Sequence, residues 1–157
     1  SDATTLDVYE IGYLLSKLTV EKVMTKKVLV VSEDEVVEEA ARIMVEHDIG
    51  CLPVMKDDIL VGIVTESDLF RLFTEIFGAS QPGIRINLES ADKPGVLSGI
   101  MTKIAALNGN IISVVTRESK KVGDRRFTIK ATGITLNQMK QILKECDLVA
   151  EDIREIK

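Results

Sequence analysis

Thr65 and Asp68 stand three residues apart in VGIVTESDLF, where an apolar, β-branched run gives way to a helical pattern. A strand that ends at a helix N-terminus leaves backbone N–H groups unpaired, and these favour a phosphate. The Thr65 hydroxyl can donate to a phosphate oxygen, and the Asp68 carboxylate can accept from two ribose hydroxyls. The same pair also serves as an ordinary helix cap, with Thr at the N-cap and an acid opposing the dipole. Spacing alone leaves both readings open. A second such place is DKPGVL, residues 92–97. Pro94 and Gly95 stand at the start of a helix, where proline pre-sets the backbone and glycine lets a ligand approach. Amide donors there suit a carboxylate, Asp92 could take the matching ammonium, and Asn110 brings both a donor and an acceptor. A tight strand-to-helix connection would use the same residues.

Other chemistries lack their reactive groups. The one histidine, His47, falls at a helix end, where it complements the dipole. Cys51 and Cys146 lie far apart and are expected as reduced, buried thiols of a cytoplasmic protein. No zinc cluster, nucleophile–base arrangement or phosphate-binding GxxxxGK[ST] loop can be assembled from them. The chain is therefore expected not to be an enzyme, and to need no cofactor.

Composition bounds the remaining classes. Hydrophobic residues make up 45% of the 157, charged ones 29% and aromatics 4% with no Trp, so Val, Ile, Leu and Ala must build the core. The apolar runs are too short to span a membrane. Residues 1–78 hold 7 basic against 16 acidic side chains, net −9, and residues 79–157 hold 13 against 9, net +4. Neither half shows the dense basic stripe of a nucleic-acid binder. The change of sign points to two units meeting at GASQPG, residues 78–83, as a linker or tight connection.

The elements that must position these residues follow from periodicity. Residues 4–18 read as a helix with Val8, Ile11, Leu15 and Leu18 on one face and Thr4 and Asp7 as a capping box. VLVV (28–31) reads as a strand, and Ser32 with Glu35 as a capping box for a helix bearing Val36, Ala40, Ile43 and Met44. Gly50 is its exit turn. CLPVM (51–55) and ILVGIVT (59–65) pair across Asp57-Asp58, and Leu69, Leu72, Phe73 and Ile76 mark a last helix. The second half reads strand (84–89), helix (96–109, Gly109 as its C-cap), a hairpin of NIISVVTR and RRFTIKAT, a helix capped by Thr135 and Gln138, and a strand in LVAEDIREI. That is β-α-β-β-α-β, the ferredoxin-like order. The fold class is α+β.

Residues 19–78 resemble a CBS domain through VEKVMTKKVLVVSEDEVVEEAARIMVEHDIGCLPVM and GIVTESDLF; residues 84–157 resemble an ACT domain through DKPGVL and NGNI. The combination resembles regulatory proteins of the acetoin-utilisation (AcuB) type. It implies an adenosine nucleotide (AMP, ADP, ATP or an S-adenosyl compound) at Thr65 and Asp68. Met24 and Thr25 would border the pocket, and Ile49, Cys51, Leu52 and Pro53 would wall the adenine, with core packing the plainer reading of Cys51 and Leu52. Lys26 and Lys27 could offset phosphate charge. For the ACT unit it implies a small amino acid held by Asp92, Pro94, Gly95, Val96, Leu97 and Asn110. CBS units usually pack as pairs, and this chain holds one full copy, with residues 1–18 resembling the stretch that joins a pair. A preceding unit thus stays open, and a homodimer or larger homo-oligomer through the CBS and ACT faces is expected.

Overall fold

The computed structural model describes residues 8–157 and divides the chain into two units, Ser1–Thr65 and Glu66–Lys157. The first contains helix α1 (Val8–Ser16), the single turn α2 (Val20–Val23), strand β1 (Val31–Ser32), helix α3 (Val37–His47) and strands β2 (Cys51–Lys56) and β3 (Ile59–Thr65). Its sheet runs β1-β2-β3, with β1 parallel and β3 antiparallel to β2. Asp57 turns the hairpin at φ 51°, in the left-handed region that Asp tolerates. Val31, Ala40, Met44 and Leu52 are the buried apolar side chains described there. That is a thin core.

Several local expectations are corrected in this unit. The strand at VLVV shrinks to Val31–Ser32, because only those residues find partners, Val54 and Met55; Val28, Leu29 and Val30 are exposed. Ser32 and Glu35 form a turn instead of a capping box. The Ser32 hydroxyl accepts from Asp34 N at 3.3 Å, Glu35 turns back onto Val36 N at 3.0 Å, and the helix begins only at Val37 with Val36 as N-cap. The left-handed residue that opens the exit turn of α3 is Asp48 (φ 51°), two residues before Gly50. Ala40 and Met44 do face inward, whereas Val36 is exposed. Of the N-terminal helix, Ile11, Leu15 and Leu18 are exposed, and the Thr4–Asp7 box and the Val8 side chain lie outside the described residues.

The second unit holds helix α4 (Glu66–Ile76), then β4 (Gly83–Ala91), α5 (Val96–Ala106), β5 (Asn110–Glu118), β6 (Asp124–Thr132), α6 (Leu136–Glu145) and β7 (Ala150–Ile156). After α4 this is the βαββαβ order, in a four-stranded sheet β5-β6-β4-β7. Alternation puts Ile84, Ile86 and Leu88 of β4 with Phe127, Ile129 and Ala131 of β6 on one face. There they close over Ile100 and Ile104 of α5 and Met139, Ile142 and Leu143 of α6. The i, i+3, i+4 spacing of the α6 residues makes its buried stripe. At its start the capping box is complete: Thr135 Oγ1 accepts from Gln138 N at 3.2 Å, and Gln138 Oε1 accepts from Thr135 N at 2.7 Å.

The exit of α5 differs from expectation. Asn108 is the left-handed residue (φ 57°), and Gly109 is not. Asp147 plays the same part after α6 (φ 57°). Gly109 is needed for space: a Cβ there would lie 2.7 Å from Ile134 Cγ2, 2.8 Å from Ile104 Cγ2 and 3.1 Å from the Ile104 carbonyl oxygen. Among the described residues no helix is long and apolar enough to cross a membrane.

Gly109→Ala should lower unfolding stability by about 1–3 kcal/mol through this overpacking. Gly62→Ala, whose Cβ would meet only Val54 Cβ at 4.0 Å, should change it by less than about 1 kcal/mol. Urea melts of the two variants check the contrast.

Candidate functional site

In the β2–β3 ladder Cys51 stands directly opposite Thr65, Leu52 opposite Val64 and Pro53 opposite Ile63. Period two then separates the predicted residues. Cys51, Pro53, Ile63 and Thr65 share one face, and Leu52 turns to the other, where it is fully buried. Leu52 is therefore core and not pocket wall. Cys51, expected as a buried thiol, is exposed and free, while Cys146 is half-buried and free. Ile63 was not singled out by sequence, although counting back by two from Thr65 reaches it. Ile49 is half-buried, with its N–H bonded to Met44 O at 3.0 Å. Met24 and Thr25 leave the α2 turn exposed, on a segment outside the strand ladder.

Thr65 ends β3 and α4 begins at the next residue, so Asp68 falls in its first turn. Both residues are engaged within the protein. Asp68 Oδ1 lies 3.6 Å from Arg71 Nη1, one turn on, and both side chains are largely exposed. An exposed ion pair of this kind holds its partners weakly, by under about 1 kcal/mol, so it does not bar exchange for a ligand.

At the second place the structure brings together part of what was expected. Gly95 is the N-cap of α5 at φ 99°, a conformation costly for other residues, and a Cβ there would meet nothing within 4 Å. Pro94, Gly95 and Val96 line a cleft of about 410 Å³. Its remaining walls come from Lys93 and from side chains that sequence reasoning missed: Lys103 on α5, and Glu145 and Cys146 at the end of α6. Lys103 Nζ donates to Glu145 Oε2 at 2.6 Å, bridging the two helices. The Lys103 ammonium, and then the Gln141 amide, hold the Glu145 carboxyl below its ordinary range, and Glu145 in turn raises Lys103.

Three predicted ligands stand apart from this cleft. Asp92 Oδ2 accepts from Arg125 Nε at 2.9 Å, and Asp92 N donates to Gly123 O at 2.8 Å. Leu97 packs against the core of the unit. Asn110 Oδ1 accepts from the next amide, Ile111 N, at 3.0 Å. Among the described residues no group of three or more His, Cys, Asp or Glu could hold a metal ion.

Residues 20–75 match the family model described as CBS domain, and residues 82–154 that described as TTHA0829-like ACT domain. The MJ1426 protein of Methanocaldococcus jannaschii is 46% identical over 54 residues, which is 34% of this chain and 32% of that protein. The CBS domain-containing protein YhcV of Bacillus subtilis is 35% identical over 51 residues, 32% of this chain and 36% of its own. The matched stretches thus span about a third of these curated relatives. Among solved structures, the CBS domain pair of protein MJ0100, in complex with 5′-methylthioadenosine and S-adenosyl-L-methionine, is 36% identical with a TM-score of 0.36. That similarity covers 46% of this chain and 58% of the solved one.

A double-mutant cycle on Asp92 and Arg125, read by urea unfolding, should give a coupling below about 1 kcal/mol. A larger value would make Asp92 a structural strut and remove it as an ammonium acceptor.

Proposed function

We propose that this chain, which carries a CBS domain at residues 20–75 and a TTHA0829-like ACT domain at residues 82–154, is a regulatory protein that senses an adenosine nucleotide. CBS and ACT domains are typically regulatory. The observation that carries the reading is the strand-to-helix junction inside the CBS match: Thr65 closes β3 opposite Cys51, and Asp68 follows in the first turn of α4. In this reading the CBS unit runs over 19–78 and the ACT unit over 84–157. The CBS resemblance assigns the phosphate or sulfonium end to Thr65 and the ribose hydroxyls to Asp68, and Cys51, Pro53 and Ile63 share the face of the β2–β3 ladder that carries Thr65. Ile49, Met24 and Thr25 complete the rim. The nucleotide is a regulatory ligand and no cofactor is needed. Ligand shifts an equilibrium only through unequal affinity for two arrangements, so its effect must be exerted on packing or on a partner.

The ACT unit extends this to a small amino acid, whose carboxylate would meet the α5 amides at Gly95 and Val96 beside Lys93. The acetoin-utilisation resemblance supplies a candidate pathway.

A second reading has its own observation. Ile59, Leu60, Val61 and Ile63 of β3 are 50–67% exposed, and Val20, Val23, Val28, Leu29 and Val30 are exposed as well. Apolar surface on this scale marks an interaction face. The occupant we propose is a second copy of the CBS unit, giving a homodimer, and this assembly role stands whether or not nucleotide binds.

Wild-type protein should gain thermal stability with one of AMP, ADP, ATP or S-adenosylmethionine at millimolar concentration. Asp68→Ala should weaken that binding about tenfold or more, a loss of roughly 1.5–3 kcal/mol. Thr65→Ala acting only as a lost cap would instead cost about 1 kcal/mol of stability, equal with and without nucleotide. No shift with any of the four compounds ends the nucleotide reading. Separately, Ile63→Lys should move the protein toward monomer in sedimentation velocity, and an unchanged profile ends the assembly reading for β3.

A further inference from the structure

The sheet of the second unit has an outer face, turned away from α5 and α6, and the segment after α4 lies against it. Ser113 Oγ donates to Phe77 O at 3.3 Å, and Lys130 Nζ donates to Gly78 O at 2.6 Å. Gly78 fits so closely there that a Cβ would sit 2.3 Å from Ile112 Cγ2. Between this strap and the sheet is a cavity of about 240 Å³. One wall is polar, made by Arg85, Ser113, Thr128 and Lys130; the other includes Phe77 and Ile156.

Lys130 is the unusual member. Its side chain belongs to a residue only 3% exposed, and Ser113 and Thr128 beside it are also buried. The register explains the cluster, since Lys130 pairs with Arg85 on one side and Ser113 on the other. An ammonium has three donors, and among the described residues its hydrogen bond is to the Gly78 carbonyl, a dipole and not a counter-charge. Buried charge is costly unless paired. Arg85 brings a second cation, only loosely held by Asp152 at 3.4 Å. The Ser113 and Thr128 hydroxyls already donate to Phe77 O and Asn87 Oδ1, so the donors open to an anion head are those of the ammonium and the guanidinium. The apolar wall calls for a hydrocarbon tail.

We propose that this cavity is a binding site for a small aliphatic carboxylate. Its head meets Lys130 and the mouth residue Arg85, and its tail lies on Phe77 and Ile156. At about 240 Å³ the cavity has room for a short aliphatic carboxylate. The site lies on the sheet face opposite the α5–α6 cleft and does not depend on the nucleotide reading. An amino-acid ligand of the cleft would need its ammonium; a plain carboxylate does not.

The test titrates the full chain with sodium butyrate, acetate, phosphate and chloride at matched ionic strength, by calorimetry and thermal shift. Butyrate should bind and raise the melting temperature, with chloride and phosphate without effect. Lys130→Met should weaken butyrate at least about tenfold, the loss of one charge-assisted bond, and Arg85→Gln should weaken it severalfold. Overhauser contacts should join the butyrate methyl to the Phe77 ring. Equal butyrate binding by wild type and Lys130→Met overturns the proposal, as does a preference for phosphate. Should Lys130→Met fail to fold, unchanged affinity in Arg85→Gln or absent Phe77 contacts overturns it instead.

Discussion

A strand alternates its side chains between two faces, so helices on one side of a sheet leave the other face to be covered by something else. The second unit answers this twice. Its inner face is sealed by α5 and α6 over Ile86, Leu88 and Ile129. Its outer face is covered with charge and hydrogen bonding: Glu89 with Arg126, Asn87 with Thr128, Asp152 with Arg154, and the strap over Ser113 and Lys130. The Arg126 guanidinium holds Glu89, and Arg154 holds Asp152, below the ordinary carboxylate range. The first unit has no such answer in β3, whose apolar side chains stand in solvent. The same constraint thus yields a closed apolar core in one half and an exposed apolar strand in the other.

Both proposed regulatory mouths share a physical design. Each sets a helix start beside a carboxylate that an arginine engages at the surface, Asp68 with Arg71 and Asp92 with Arg125. Exposed pairs of this sort are nearly isoenergetic with their separated, hydrated partners.

What the sequence told of this architecture depended on how local each cause was. The Thr135–Gln138 box was legible because its reciprocal bonds need only four residues. The matching Ser32–Glu35 pattern misled, since a turn claimed Ser32 first and the helix began later. VLVV was a fair strand by propensity, yet only its last residue joins the two-residue strand, because a strand exists where a partner runs. Pro94, Gly95 and Val96 could be placed together at a strand-to-helix turn, whereas Lys103, Glu145 and Cys146 could not be placed beside them; they meet only when α6 packs on α5. Burial of Lys130 left no trace in its neighbours' types, because the strap that covers it comes from 52 residues away.

Asp48, Asp57, Asn108 and Asp147 hold φ between 51° and 57° where the chain reverses out of helices or turns. Glycine would adopt that geometry without strain but gives up more freedom on folding. These corners therefore trade a little native comfort for a less permissive denatured ensemble. In descent, substitution at the four should circulate among Asp, Asn and Gly, so a search for invariant glycines would overlook the joints of this fold.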